Sequence, residues 1–335
     1  MDKHIVSQKY NSKWHDVKYP MFTIVTSVHN RKELLKRSLN SVRLQTCKDF
    51  EHIIIDNASD ENLDDLVENF MSKVDYPMAY IKRNYGPGPH TGWNTGFFFA
   101  RGRYLTIVDS DDEIMPNSIQ VFLDAWKSIP QKEYDSFNEI VALCKLEDGE
   151  INGNQFPPNI NKVSRKKNIE LMKQAGMEHF VCYKVSLLKE HYFPEPEFVR
   201  HVSENNLWDI FHKKYKCFCI NEALRLYYVN SPGSVNFSSN LSRKMTFQNF
   251  IDILWACKYR MENQELYEDS FIRKLMNVMK INICVISLKK LSKYPHAEWA
   301  TSNPFNFKYR MFSLLLWVPC SVLAWLCSKE KYRFT

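Results

Sequence analysis

The chain has 335 residues, of which 44% are hydrophobic and 25% charged. This composition excludes wholesale disorder and collagen-like repeats and provides ample material for a core. Six of the seven net positive charges lie in residues 286–335, which hold eight Lys or Arg and two Glu. Because a nucleic-acid-binding protein usually spreads basic charge over its folded domain, we expect no nucleic-acid partner.

Cysteine usage and the N-terminus indicate a protein of a reducing compartment. The nine cysteines include no C-x-x-C pair, so we expect buried thiols rather than disulfides or a zinc site. Residues 1–20 lack the apolar run of a signal peptide. They are polar and aromatic, and we expect them to form an arm before the first strand.

The next part of the chain alternates strand and helix patterns. Four β-rich runs predict strands, at residues 22–28, 52–55, 78–82 and 104–108. Apolar residues at helical spacing predict helices after the first two runs. Asn30 and Asp60 stand where the N-caps of these helices are expected. Such alternation predicts βαβ units in a mostly parallel sheet flanked by helices.

Beyond residue 139 the pattern changes to short strands and then to helices. Asp148-Gly149 predicts the turn of a hairpin, and Ser203 precedes a helical pattern. Further strand-like pieces lie at residues 180–183, 217–220 and 224–229. The remainder is helical in period, so we place a domain boundary near residue 235. The predicted regions are an arm (1–20), an α/β domain (21–235) and a helical C-terminal region (236–335).

Glycines are concentrated in one stretch. Five of the nine lie between residues 86 and 102, which predicts tight turns or a close approach of the backbone to another element. No G-x-G-x-x-G follows the first strand and no G-x-x-x-x-G-K occurs. The dinucleotide-binding and P-loop classes are therefore disfavoured.

Acidic and polar residues follow the predicted strands, where ligands bind in α/β sheets. The densest group is Asp109-Ser110-Asp111-Asp112. Three adjacent carboxylates repel one another unless a cation lies among them, and Mg²⁺ or Mn²⁺ with diphosphate oxygens is a common partner. The alternative is an acidic turn at a helix N-terminus, where carboxylates are favourable without any ligand.

The order of these segments carries a resemblance. This chain resembles the family 2 glycosyltransferases of GT-A fold in the order of its segments. That order is strand, T-S-V-H-N-R, helix, strand, D-N-A-S-D, helix, W-N-T-G with A-R-G-R, strand and D-S-D-D. The resemblance covers about residues 20–235. It implies a Rossmann-type α/β domain and inverting transfer of a sugar from a nucleoside diphosphate sugar. It also implies Mn²⁺ or Mg²⁺ at the D-x-D motif, with UDP as the expected nucleotide.

The resemblance assigns roles to particular positions. The nucleotide-binding residues that it implies are Thr26, Ser27, His29, Asp56, Asn57, Trp93, Asn94 and Asp109. The metal ligands that it implies are Asp109, Asp111 and Asp112. Asn57 stands where the family usually has a second acid, and Trp93 where it often has Arg. Both departures leave the identity of the nucleotide open.

A further departure concerns the base that takes the acceptor proton. The family usually has a Glu-Asp pair at the start of a helix after an F-P-E-like segment, and this chain has Glu204-Asn205. Because an Asn cannot act as a base near neutral pH, the resemblance implies Glu204 as the base, with Asp209 in reserve. The alternative for Glu204 is a favourable charge at the helix start.

The tail has a separate character. Residues 311–327 carry no charge, include Pro319, and are flanked by Lys and Arg. Since a straight membrane span needs about 20 residues, we expect a re-entrant or in-plane helix on an anionic cytoplasmic leaflet. The alternative is a terminal helix packed into the protein's own core.

Together these observations favour a metal-dependent glycosyltransferase that is peripheral on the inner face of the cell membrane. It would act on a glycan or lipid-linked acceptor in surface polysaccharide synthesis. Two alternatives stay open. One is a sugar-nucleotide-binding protein without catalysis, suggested by Asn57, Trp93 and Asn205. The other is a membrane-docked interaction protein in which the acids are structural.

Overall fold

The structure, a computed structural model, describes residues 3–157, 178–229, 247–267, 270–288, 298, 302, 309, 313–316 and 320–321. The chain divides into two compact units. The first comprises Met1–Phe193 and Lys214–Val235, and the second comprises Pro194–Lys213 and Asn236–Thr335.

The first unit is built on a sheet of nine described strands. They are β1 (Ile5–Tyr10), β2 (Phe22–Val28), β3 (Phe50–Asn57), β4 (Met78–Arg83), β5 (Tyr104–Ile107), β6 (Glu113–Ile114), β7 (Phe137–Lys145), β8 (His179–Lys184) and β9 (Lys216–Leu226). Their order in the sheet is β1-β4-β3-β2-β5-β8-β7-β9-β6. The central strands β4, β3, β2 and β5 are parallel, as are β7 and β9, and the other neighbours are antiparallel. The predicted α/β fold class is confirmed.

Helices cover both faces of the parallel strands. Those of the first unit are α1 (Lys32–Arg43), α2 (Asp64–Met71), α3 (Pro89–Phe99), α4 (Ser118–Ser128) and α5 (Val185–Glu190). Phe22 and Ile24 of β2 join the apolar core that α1, α2 and α4 cover. The alternate residues Val25 and Ser27 lie against α3. Burial on both faces explains why these strands read as continuous apolar runs.

The glycine-rich stretch forms α3, and its glycines explain how closely α3 packs. A Cβ atom at Gly92 would overlap the Ser27 side chain, and one at Gly96 would overlap Val25. A Cβ at Gly86, before the helix, would overlap Asn57. The predicted close backbone approach is therefore confirmed at these positions, and it places α3 directly over the ends of β2 and β3.

The A-R-G-R segment after α3 is held to the same strands. Arg101 Nε donates to Glu51 Oε2 of β3 at 2.6 Å, and its guanidinium lies 3.6 Å from the centre of the Trp14 ring. Gly102 N donates to Thr23 Oγ1 at 3.0 Å. Because Glu51 is fully buried, this ion pair fixes the start of β5 relative to β2 and β3.

The two predicted helix caps are wrong. Helix α1 begins at Lys32, and no side chain of the residue before it caps the helix. Asn30 instead has φ of 52°, and its Oδ1 accepts from Asp60 N at 2.7 Å. Glu61 Oε1 accepts from Lys32 N at 2.8 Å, so the cap of α1 comes from another loop. Asp60 does not cap α2, which begins at Asp64.

Three other elements differ from the sequence expectation. The predicted arm contains β1, which pairs antiparallel with β4. The hairpin turn forms at Gly149, with φ of 89°, but its returning strand is one bridge between Lys145 and Ile151. The two pieces predicted at 217–220 and 224–229 are one strand, β9, whose register against β7 shifts between Val141 and Leu143.

Helices form the second unit. They are α6 (Asn205–Lys214), α7 (Phe247–Glu262) and α8 (Phe271–Ser287). Helices α7 and α8 share an apolar core that includes Leu254 and Ile281. Eight cysteines lie in the described parts of the two units, and seven of them are buried.

Little of the tail segment 311–327 falls within the described residues. The Ser313 carbonyl accepts from Asn282 Nδ2 of α8 at 2.9 Å, and the Ser313 hydroxyl donates to Asn282 Oδ1 at 2.8 Å. Leu314 and Leu315 are 71% and 69% exposed. Trp317 and the flanking basic residues lie outside the described residues. Among the helices described, none has the length and apolar character that a membrane crossing requires.

Candidate active site

The acidic segment Asp109–Asp112 lies between β5 and β6 at the carboxyl end of the parallel strands. Its three carboxylates differ in exposure: 41% of the Asp109 side chain is exposed, 10% of Asp111 and 2% of Asp112. Asp111 Oδ2 lies 3.1 Å from Arg31 Nη1. The sequence placed these acids at a ligand-binding edge, and the structure brings them together there with an arginine from the β2–α1 loop.

A second arginine, Arg225 of β9, lies on the other side of the segment. Its Nη1 is 3.2 Å from Asp109 Oδ2, and its Nε is 3.5 Å from Asp112 Oδ2. Its Nη2 donates to Glu178 Oε2 at 3.0 Å. Neither Arg225 nor Glu178 was predicted. The available signal was a basic residue between two leucines in an apolar strand, because such a residue requires a buried partner.

The residues after β9 also hold the acidic segment. Tyr228 N donates to Asp112 Oδ1 at 3.0 Å, and the Tyr228 hydroxyl donates to Glu113 Oε1 at 2.5 Å. The Arg37 guanidinium lies 3.5 Å from the centre of the Tyr228 ring and donates to the Asp111 carbonyl. Helix α1 and the end of β9 thus fix the backbone on both sides of the motif.

This cluster carries an excess of negative charge. Asp109, Asp111, Asp112 and Glu178 face two paired guanidinium groups, those of Arg31 and Arg225. Desolvation, opposed by Arg225 and reinforced by Asp109, raises the pKa of Asp112 to about 7. Desolvation likewise raises the pKa of Glu178. A divalent cation would relieve the repulsion between these carboxylates.

The donor set suits such a cation if a ligand completes its coordination. Asp109 and Asp111 each use Oδ2 in an ion pair, and within the described residues no partner is recorded for Oδ1 of either. Carboxylate oxygens are the donors that Mg²⁺ and Mn²⁺ prefer. Among the described residues no group of three or more His, Cys, Asp or Glu is arranged around a metal position. Asp109 and Asp111 thus suit such a metal by donor type, and its remaining ligands would have to come from a bound molecule.

The predicted nucleotide-binding residues at the end of β2 have different surroundings. Thr26 is fully buried, and its Oγ1 lies 3.0 Å from His52 Nε2. Ser27 points to the opposite face, under α3, and is partly exposed. His29 is exposed, and its Nδ1 lies 3.2 Å from the Asn57 carbonyl. Ser27 and His29 are thus the more accessible of the three.

Asp56 and Asn57 end β3 and are both buried. Asp56 accepts from Ser59 N at 2.9 Å and from the Tyr80 hydroxyl at 3.3 Å. Asn57 Nδ2 donates to the Gly88 carbonyl at 2.9 Å, and its Oδ1 accepts from Thr91 Oγ1 at 3.1 Å. Both ends of the Asn57 amide therefore join β3 to the start of α3.

Trp93 and Asn94 of α3 contact the end of the segment that follows α5. Asn94 Nδ2 donates to the Phe193 carbonyl at 2.8 Å, and Asn94 Oδ1 accepts from Phe193 N at 2.9 Å. The Trp93 and Phe193 ring centroids are 5.6 Å apart. This reciprocal pair fixes Phe193 against α3.

The two acids predicted for proton transfer belong to the second unit. Glu204 directly precedes α6, and its Oε2 accepts from Trp208 Nε1 at 3.2 Å. Asp209 Oδ2 pairs with Arg260 at 2.8 Å and with Arg273 at 3.7 Å. Asp209 thus links α6 to α7 and α8. The roles of both acids stay predictions.

With the sheet and the acidic edge established, comparison with known proteins gives the class. The fold resembles that of Staphylococcus aureus TarS, residues 1–349, in complex with UDP-GlcNAc, with a TM-score of 0.54 and 16% identity over 94% of this chain and 93% of that one. This likeness confirms a GT-A fold. The family model described as Glycosyl transferase family 2 matches residues 23–183, and this part of the chain is a family 2 glycosyltransferase domain.

Curated relatives agree with that assignment. The chain is 26% identical over 237 residues to the Campylobacter jejuni GalNAc(5)-diNAcBac-PP-undecaprenol beta-1,3-glucosyltransferase, covering 70% of this chain and 73% of that protein. It is 23% identical over 264 residues to an uncharacterized glycosyltransferase of Methanocaldococcus jannaschii, covering 77% and 87%. The protein is a glycosyltransferase.

Proposed function

We propose that this protein is an inverting glycosyltransferase that moves a sugar from a nucleoside diphosphate sugar, UDP-linked, to a hydroxyl of a glycan or lipid-linked acceptor in surface polysaccharide synthesis. The observation that carries the proposal is the acidic segment at the carboxyl end of the parallel strands, with more carboxylates than arginines to neutralise them. The names of the relatives support the acceptor class. One is a glucosyltransferase named for a PP-undecaprenol-linked glycan, and TarS is named as a poly(ribitol-phosphate) beta-N-acetylglucosaminyltransferase.

The donor would lie along the ends of β2, β3 and β5. Ser27 and His29 supply polar groups for the base and ribose, together with Thr26 if its hydroxyl leaves His52. Buried Asp56 would support the pocket, since its two oxygens accept from Ser59 N and from the Tyr80 hydroxyl. Asp109 supplies an exposed carboxylate near the ribose and diphosphate. Asn57 and Asn94 use both ends of their amides within the protein. We therefore assign Asn57, Trp93 and Asn94 to shaping this pocket.

Asp109 and Asp111 would hold Mn²⁺ or Mg²⁺, with Asp112 behind them bound to Tyr228 N. When bound, the metal would supply Lewis-acid stabilisation of the departing diphosphate. The protein's part is to keep the two carboxylates close, which Arg31 and Arg225 support by offsetting their repulsion.

For the acceptor, Glu204 would take the hydroxyl proton. Its Oε2 accepts from the Trp208 ring N–H, whereas Asp209 is paired with two arginines, Arg260 and Arg273. Because Asp209 joins three helices through these ion pairs, we assign it a structural role and give the role of the base to Glu204.

The second unit supports the proposed position on the cytoplasmic face of the membrane. Its described surface exposes Phe271, Ile272 and Met276 of α8, with Leu314 and Leu315 of the tail. Helix α8 contains three basic residues and no acidic one. Apolar and basic side chains together suit an anionic lipid surface. Sedimentation with anionic vesicles that falls with added salt would support this, and no binding at low salt would contradict it.

The proposal as a whole is tested by replacing Glu204 with Gln and supplying UDP-sugars with an acceptor. Loss of a general base lowers turnover by about 10²–10⁴-fold, and donor binding measured by calorimetry should be unchanged. Asp209→Asn is the matched variant, expected to lower stability with a smaller effect on turnover. Donor binding without turnover in the unaltered protein would favour the non-catalytic sugar-nucleotide-binding alternative. No nucleotide binding at all would favour the membrane-docked interaction protein.

A further inference from the structure

Arg225 is connected to the acidic segment across a long stretch of sequence. It is buried on β9, and its three nitrogens face different partners. Nη1 faces Asp109 Oδ2 at 3.2 Å and Nη2 faces Glu178 Oε2 at 3.0 Å. Nε lies 3.5 Å from Asp112 Oδ2 and donates to Cys144 Sγ at 3.3 Å. A planar guanidinium with fixed donor directions therefore sets where these acids lie relative to one another.

The acids around Arg225 are more numerous than its own burial requires. One well-placed carboxylate would balance one guanidinium, yet three surround it. One of them, Asp109, keeps 41% of its side chain exposed. A buried cation that binds an exposed carboxylate by one oxygen holds that side chain in a single orientation. The other oxygen is then presented outward.

We propose that Arg225 is a positioning residue for donor binding, acting through Asp109 and Asp112. It fixes Asp109 by Oδ2, so that Oδ1 is ready for a cation carried by the nucleoside diphosphate. It also offsets the repulsion between Asp109 and Asp112, so that both stay close without a ligand. This inference rests on the proposed function, because it gives Arg225 a role in binding the proposed donor.

The comparison needs an arginine that pairs with a buried carboxylate and has no connection with the acidic segment. Arg101 provides it, since its Nε lies 2.6 Å from Oε2 of the fully buried Glu51 in the same unit. Breaking either buried pair destabilises the fold. Arg101→Met and Arg225→Met should therefore both lower the melting temperature, by roughly 10 °C.

Only the Arg225 variant should change donor binding. We expect Arg225→Met to weaken UDP binding in Mn²⁺ by about 10–100-fold, the range found when a residue that orients a metal ligand is lost. UDP binding in EDTA should stay the same, because the base-binding groups are elsewhere. Arg101→Met should match the unaltered protein in both conditions. Arg225→Lys keeps the charge without the fork, and we expect it to recover part of the Mn²⁺-dependent affinity.

Calorimetry on the full chain separates the outcomes. If Arg225→Met binds UDP and Mn²⁺ like the unaltered protein while its melting temperature falls as much as that of Arg101→Met, Arg225 is structural and the inference is overturned. If Arg225→Met does not fold, Arg225→Lys decides, and full affinity in that variant overturns the inference. Failure of the unaltered protein to bind UDP would instead refute the proposed function.

Discussion

Two groups of polar side chains at the same sheet edge differ in how many of their polar atoms have partners within the protein. The amides of Asn57 and Asn94 are used at both ends, by Gly88 and Thr91 in one case and by Phe193 in the other. Asp109 and Asp111 are each held by an arginine through Oδ2 only. The amides have little hydrogen-bonding capacity left for a ligand, whereas the acidic segment has spare oxygens and unbalanced charge.

The difference shows which polar residues of a motif can serve a substrate. A side chain whose donors and acceptors are satisfied internally contributes stability and shape. A side chain whose charge exceeds what its partners supply favours a further ligand. Because sequence gives residue types and not their partners, the resemblance placed Asn57, Asn94 and Asp109 in one nucleotide-binding set, with Asp111 among the metal ligands. The structure divides that set.

The largest expected effect comes from Asp111→Asn, which keeps the size of the side chain and removes its charge. We expect UDP binding in Mn²⁺ to weaken by about 100-fold, at or beyond the loss seen for residues that only support metal ligands. The loss of stability should be smaller than in Arg225→Met, because relief of the repulsion with Asp109 offsets part of the loss of the pair with Arg31. Calorimetry and urea denaturation give the two values.

Asn94→Ala is the matched variant from the other group. It should lower the free energy of unfolding by about 2 kcal/mol, for two buried hydrogen bonds to Phe193. Its affinity for UDP should stay within about threefold of the unaltered protein. The reverse pattern, with Asp111→Asn binding normally and Asn94→Ala not binding, would show that the comparison assigns the two groups wrongly.

Sequence patterns were sufficient to predict those elements of the fold that depend on local residue order. Strand β2 was predicted with its observed bounds of Phe22–Val28, because a strand buried on both faces is apolar throughout. The acidic segment was placed because its residues follow such a strand. Strand β1 was not predicted, since IVSQKY has few apolar residues and depends on pairing with β4.

Contacts between segments that are distant in the sequence could not be predicted from it. Arg225 reaches Asp109 from β9, and Glu61 caps α1 from the loop after β3. Asn30 has the residue type and position of a cap, and only the neighbouring loop diverts its side chain to Asp60. Each case depends on which loops the topology brings together, which no local pattern contains.

A smaller effect on UDP binding is expected from one of two glycine substitutions in helix α3. Gly92→Ala and Gly96→Ala both insert a methyl group between α3 and β2, the first against Ser27 and the second against Val25. Overpacking costs about 1–3 kcal/mol, less about 1 kcal/mol from the better helix propensity of Ala. We expect both variants to be slightly less stable, and only Gly92→Ala to bind UDP less tightly. Equal loss of affinity in the two would remove Ser27 from the proposed site.

The last effect, which is expected only at acidic pH, concerns His52, a buried group that the fold uses in its neutral form. Its Nε2 lies 3.0 Å from Thr26 Oγ1, and burial lowers its pKa to about 3. The unfolded chain binds a proton near pH 6.5, so stability is fully present above that pH and is lost as the pH falls towards 3. Urea denaturation from pH 7 to pH 4 should show the free energy of unfolding falling by up to about 1.4 kcal/mol per pH unit more in the unaltered protein than in His52→Gln. Because other titrating groups, such as His179, are common to both proteins, this difference isolates His52. Parallel pH profiles would contradict this account, since they would mean that the folded protein accepts a proton at His52.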